Sequence, residues 1–171
     1  MIIRQGQVVD TDGSPSERAV RRLHREGLTL PGKPEFDIPA LPDDITSLDD
    51  DALMTLFVRL TAWTAYASTK SAAAMVDERQ AESTVEVNEA RSLIKDYDPK
   101  SKTPVTFAKA QRLLDDGVGT AQLKYETAYA YRKMVEVLAI NAERDAALVS
   151  RELTRRTRNS GVEQRASRFT A

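Results

Sequence analysis

The chain has 171 residues, 41% hydrophobic and 30% charged, with a formal net charge of -1. That length fits one domain with at most an added arm, and the balanced charge implies no bulk attraction to nucleic acid or anionic lipid. Cysteine is absent, which excludes disulfides and thiolate metal sites and fits a reducing compartment.

Residues 1–46 read as an N-terminal arm, with five of the seven prolines (Pro15, Pro31, Pro34, Pro39, Pro42) among several glycines. One short helix is predicted inside it. Ser14 is placed to cap, Pro15 suits the first helical position, Glu17 completes a capping box, and Gly27 is a natural stop. From Leu28 to Pro42 the prolines impose an extended path. Leu28, Leu30, Phe36, Ile38 and Leu41 alternate with them, so the arm is expected to dock on a surface.

The bulk of the chain, 47–158, reads as two long helices, 48–96 and 104–158, joined by the turn Asp98-Pro99-Lys100-Ser101-Lys102-Thr103-Pro104. Ser47 is the predicted cap of the first, with Asp49, Asp50 and Asp51 at the positive end of its dipole. Leu53, Phe57, Leu60, Ala67, Ala74, Ala81 and Val85 recur at spacings of three, four and seven, a coiled-coil-like seam. Trp63, Tyr66, Met75 and Val76 extend the apolar surface toward a second contact face. The second helix is expected to start at Thr103 and Pro104, show a short face at Phe107, Ala110, Leu113 and Leu114, and break or kink at 115–119. Ala128, Tyr131, Val135, Leu138, Ala142, Ala146, Val149 and Leu153 then continue the spacing. Residues 159–171, with Gly161, are expected to be an irregular tail. At about 1.5 Å per residue such helices exceed what a compact domain of this size requires. Alanine-rich helices also bury little area each, so oligomerisation is expected.

Few residues point to chemistry. His24, the single histidine, lies among Arg21, Arg22 and Arg25 without a carboxylate pair, an ordinary surface position and a poor metal site. Gly117-Val118-Gly119 lacks the lysine and preceding strand of a phosphate loop, which makes it a hinge. Tyr125, Tyr129, Tyr131, Trp63 and Tyr66 could stack single-stranded bases beside arginines, though helical spacing favours core or interface. No catalytic constellation can be assembled, so an enzyme is not expected, nor any cofactor or metal.

Charge placement is the sharper signal. Residues 144–168 carry seven arginines, whereas 37–51 carry six aspartates and no basic residue. Arg151, Arg155, Arg156 and Arg158 are the candidate contacts to phosphate or to an acidic partner. In an antiparallel hairpin the acidic entry faces the basic exit, and self-neutralisation within or between subunits explains both runs without nucleic acid. Leu53, Phe57, Leu60, Trp63, Val135, Leu138, Val149 and Leu153 are the candidate interface, within one chain or between chains.

The runs Leu53-Met54-Thr55-Leu56-Phe57-Val58-Arg59-Leu60-Thr61-Ala62-Trp63 and Glu143-Arg144-Asp145-Ala146-Ala147-Leu148-Val149-Ser150-Arg151-Glu152-Leu153-Thr154-Arg155-Arg156 resemble long-helical-hairpin proteins of actinobacterial tailed phages. The likeness covers the two main helices and not the arm. The order of parts is also similar to that of phage recombination mediators, ring-forming proteins that load a recombinase onto single-stranded DNA.

The expected fold is therefore all-α: a long antiparallel helical hairpin with an extended proline-rich arm bearing one short helix. The first expectation for function is a non-enzymatic, homo-oligomeric assembly protein of a tailed phage, at the head, neck, connector or capsid, contacting other subunits through arm and tail. The alternative is a single-stranded-DNA-binding recombination or replication accessory. A small regulator that docks a host protein through its proline-rich arm is a third class. The start, Met1-Ile2-Ile3-Arg4-Gln5-Gly6, lacks a signal-peptide core, and no run approaches the roughly 18 apolar residues of a membrane span. Synthesis in the host cytoplasm is the matching expectation, with residence in the virion if the structural reading holds.

Overall fold

The computed structural model describes residues 2–4, 7–9, 12–95 and 116–169, with side chains over 12–94 and 116–159. Its body is a helical hairpin of α2 (Asp50–Lys95) and α3 (Asp116–Phe169), which pack against each other as the sequence predicts. The arm carries α1 (Pro15–Arg25) and, ahead of it, an antiparallel ribbon of β1 (Ile2–Arg4) and β2 (Gln7–Val9), with Ile2 opposite Val9. The predicted turn at 98–104, the cap at Thr103 and the face at 107–114 lie outside the described residues.

Two compact units make up the chain. The first holds α1, α2 from Lys70 onward and α3 as far as Val135; the second holds Leu30–Thr69 and α3 from Glu136.

In the first unit, α1 starts and stops where its sequence dictates. Ser14 Oγ accepts from the Glu17 amide at 3.2 Å, and Glu17 Oε2 accepts from the Ser14 amide at 2.9 Å. Gly27 ends it at φ +78°, a conformation that a Cβ strongly disfavours. His24 is exposed, as expected. Asp77 of α2 secures the start of α1. Its Oδ1 accepts from the Ser16 amide at 3.1 Å and its Oδ2 from Ser16 Oγ at 2.6 Å, a negative charge at the positive end of a helix dipole.

The facing helices of this unit meet through small residues, with Ala74, Val85, Val118 and Ala121 buried. Such a seam brings backbones close but has little shape with which to fix register. Two polar contacts supply it. Asn88 Nδ2 donates to the Gly117 carbonyl at 3.0 Å. Arg132 donates from Nε to Glu78, an ion pair in which each side chain is only 15% exposed.

In the second unit the core is larger. Leu53, Leu56, Leu60 and Val149 form its buried cluster, with Phe57, Ala146 and Leu153 packed around it. Leu41, Ile45 and Leu48 complete it, so the approach to α2 is part of the core. The seam runs through Leu56, whereas Phe57 sits half-buried at its edge. Three-residue and four-residue steps from Leu53 fit either residue, and only the partner surface decides between them.

Two local expectations, the cap of α2 and the irregular tail, need correction. Asp49, not Ser47, caps α2: its Oδ1 accepts from the Ala52 amide at 2.7 Å, while Ser47 ends a short 3-10 turn (Ile45–Ser47) and donates to the Asp44 carbonyl at 2.8 Å. Both are good caps, and Asp49 lies nearer the first buried residue. The expected break or kink at 115–119 falls at the described start of α3, with Gly117 and Gly119 in its first turn. The expected irregular tail is helical through Phe169. A lone Gly161 costs about 1 kcal/mol relative to alanine, too little to stop an already nucleated helix that meets no proline.

The Glu78–Arg132 pair yields a test. Glu78→Ala leaves a largely buried guanidinium without this carboxylate and is expected to cost about 3 kcal/mol in urea unfolding. Replacing both residues by leucine is expected to restore stability while loosening register, visible as broadened amide resonances along α2 and α3.

Candidate functional site

The candidate interface proves to be mostly the chain's own interior. Leu53, Leu60, Trp63 and Val149 are buried in the second unit, with Phe57 and Leu153 half-buried beside them; Val135 is buried in the first unit. Leu138 is the exception at 49% exposed. On α3 the inward positions alternate by three and four from Val118 through Ala121, Tyr125, Ala128, Arg132, Val135, Ala139, Ala142, Ala146, Val149 and Leu153 to Arg156. Leu138 and Tyr131 fall beside that line, not on it.

Trp63 joins the arm to the hairpin. It donates from Nε1 to the Phe36 carbonyl at 3.0 Å and meets Tyr66 edge-on, ring centres 5.6 Å apart. The Arg59 guanidinium covers the Phe36 ring at 5.3 Å. The arm therefore docks in cis here. A buried indole whose N–H is already bonded is not presented for base stacking, and Tyr125 is half-buried. Tyr129 lies 6.3 Å from Tyr125 and under the Arg132 guanidinium at 5.6 Å. Tyr131 is exposed.

The arginine-rich end divides by face. Arg156 turns inward, donating from Nη1 to Asp50 at 2.7 Å, from Nη2 to the Thr46 carbonyl at 3.0 Å and from Nε to Glu152 at 2.9 Å. One planar guanidinium thus ties the segment before α2, the start of α2 and its own helix together. Arg155 binds both oxygens of Glu152 at 2.7 Å. Glu152 is buried, and these hydrogen bonds, Arg155 first and Arg156 second, lower its pKa to about 2. Acidic entry and basic exit do meet within one chain, through Arg156. Arg151 and Arg158 are exposed and form no ion pair among the described residues. With Arg155 they occupy successive turns of one outward face.

Sequence reasoning missed the Glu78–Arg132 pair and the Asp77 contact, because nothing local distinguishes these carboxylates from their many solvated neighbours. It also missed an outer apolar face on α3, where Leu123 is 65% and Met134 68% exposed. Their regular spacing was available to be read. Met75 and Val76, the suspected second face of α2, are exposed and line an open groove with Pro15, Arg79 and Glu86.

The chain matches no family model, no curated protein and no solved structure. Among the described residues, no helix is long and apolar enough to cross a membrane.

Two measurements check this geometry. Trp63→Phe deletes the bond to Phe36 and is expected to cost about 1 kcal/mol, with faster proteolysis confined to residues 28–42. The Glu152 contribution is complete above about pH 4.5, its ordinary pKa, and is lost as pH falls toward about 2. Glu152→Gln is therefore expected to flatten that part of the acid-unfolding curve followed by circular dichroism.

Proposed function

We propose that this chain is a non-enzymatic assembly protein that works by associating with copies of itself and with other subunits. The observation that carries the reading is the outer face of α3. Large apolar side chains remain exposed there after the hairpin has formed its own interior. The interior seam has no role left to play in recognition, because the chain fills it. A component of a tailed-phage head, neck, connector or capsid, made in the host and carried in the virion, is the setting proposed, on the resemblance of residues 53–63 and 143–156 to phage hairpin proteins.

A second reading, binding of single-stranded DNA, draws on the outward Arg151, Arg155 and Arg158. Three features weigh against it as the leading one. Arg156 is engaged internally, Arg155 is shared with Glu152, and the buried Trp63 offers no stacking face.

Size-exclusion chromatography with light scattering, at low and high salt and with and without single-stranded DNA, separates the two. The assembly reading expects a defined oligomer that survives salt and ignores DNA. A complex with DNA that dissolves as salt rises, and whose salt dependence flattens in Arg151→Ala/Arg158→Ala, would instead establish the phosphate-binding reading.

A further inference from the structure

The outer face of α2 in the first unit has an order of its own. The inward line of the helix runs through Ala74, Glu78, Ala81, Val85, Asn88 and Ser92. Two places beyond each of these stand Val76, Gln80, Ser83, Val87, Ala90 and Ile94, roughly 200° round the helix. All six are exposed, Ile94 at 78%. They follow one another at steps of four and three, the spacing of a second coiled-coil seam. The open groove of about 590 Å³ that holds Met75 and Val76 lies at its start, with Pro15 at one wall.

The polar residues of this stripe indicate what covers it. In a parallel, in-register pair of identical helices each seam residue meets its own copy. Gln80 then lies beside Gln80, two amides that each offer a donor and an acceptor, and Ser83 lies beside Ser83. Val76, Val87 and Ile94 form apolar layers around them. The antiparallel pairing that keeps the same six positions in contact sets Gln80 against Ala90 and Ser83 against Val87. Both polar groups are then left without a partner across the seam.

The charges on the two flanks make the same choice. Glu86 immediately precedes Val87, and Arg91 immediately follows Ala90, so they border the seam on opposite sides. In the parallel register Glu86 of one copy approaches Arg91 of the other, five places on, and symmetry makes the contact twice. The antiparallel register instead brings Glu86 against the other copy's Glu86. Both side chains are exposed, and neither forms an ion pair among the described residues. Glu86 feels the charge of Arg79, one heptad back, but the ion pair of Arg79 is with Glu82.

We infer that residues 76–94 of α2 form a parallel, two-fold contact with a second copy of this chain. Its polar layers at Gln80 and Ser83 fix the register at some cost in stability, as polar residues do at coiled-coil seams. The inference rests on the assembly reading and names a contact through which copies associate.

The test uses the full chain in analytical ultracentrifugation over a concentration series, with circular dichroism as the control for folding. Val87→Asp places a charge inside the contact and is expected to weaken association roughly a hundredfold. Glu86→Lys and Arg91→Glu, each alone, set like charges together and are expected to weaken it roughly tenfold. The double exchange is expected to restore it. The absence of native cysteine lets single cysteines report the register. Val76 and Ile94 lie about 27 Å apart along the helix axis, and Val76→Cys and Ile94→Cys are each expected to form a disulfide with a second copy of the same variant. Self-linking at only one of these positions, or at neither, overturns the parallel register, as does failure of the double exchange to restore association. An oligomer unchanged by Val87→Asp overturns this contact but leaves the assembly reading standing. A monomer at every concentration overturns both.

Discussion

Two long helices rich in alanine can approach closely, but they cannot by apolar contact alone determine how far one slides along the other. That constraint governs this chain. Each alanine buries little area, and a run of them is nearly the same after a shift of one turn. Register must come from groups that have a single correct partner. In the first unit these are Asn88 on the Gly117 carbonyl and Arg132 on Glu78; in the second they are Arg156 on Asp50 and Thr46. A polar residue at a seam position is the best-attested device for fixing the alignment of packed helices, at some cost in stability.

The same logic explains why the arm docks. The second unit has the larger side chains, Leu53, Leu56 and Leu60, and α3 alone does not cover them. Leu41, Ile45 and Leu48 finish the enclosure, and Phe36 closes over Arg59 and Trp63. Prolines lower the entropic cost of ordering this segment, because its unfolded form was already restricted. At the start of α1, Asp77 performs a comparable service with hydrogen bonds. An arm read as a tether for neighbours is, over these residues, a strap on its own hairpin.

Function then falls to the surfaces that this packing leaves over. The inward line of α3 is consumed by α2, and the inward-turning arginine by acidic and carbonyl oxygens. Among what remains outward are an apolar face of α3 in one unit and a row of arginines in the other. Apolar stripes gain most of their free energy by leaving water, which favours a lasting partner. A row of exposed arginines gains chiefly by long-range attraction and loses it in salt. The two surfaces therefore predict opposite responses to ionic strength.

Local chemistry made much of the fold legible. The capping box at Ser14, Pro15 and Glu17, the stop at Gly27 and the helical periodicity from Leu53 onward and toward Leu153 each depend on residues a few positions apart. Their consequences follow whatever the rest of the chain does. The sequence by itself thus determined that this protein is helical, where α1 begins and ends, and that two long helices pair. Tertiary structure decided the rest: that Leu56 and not Phe57 enters the seam, that Asp49 caps α2, that Trp63 is spent on the arm, and that of four similar arginines only Arg156 turns inward. Those choices lie between alternatives that are locally almost equal in free energy. Only a partner distant in sequence, met once the helices have packed, separates them.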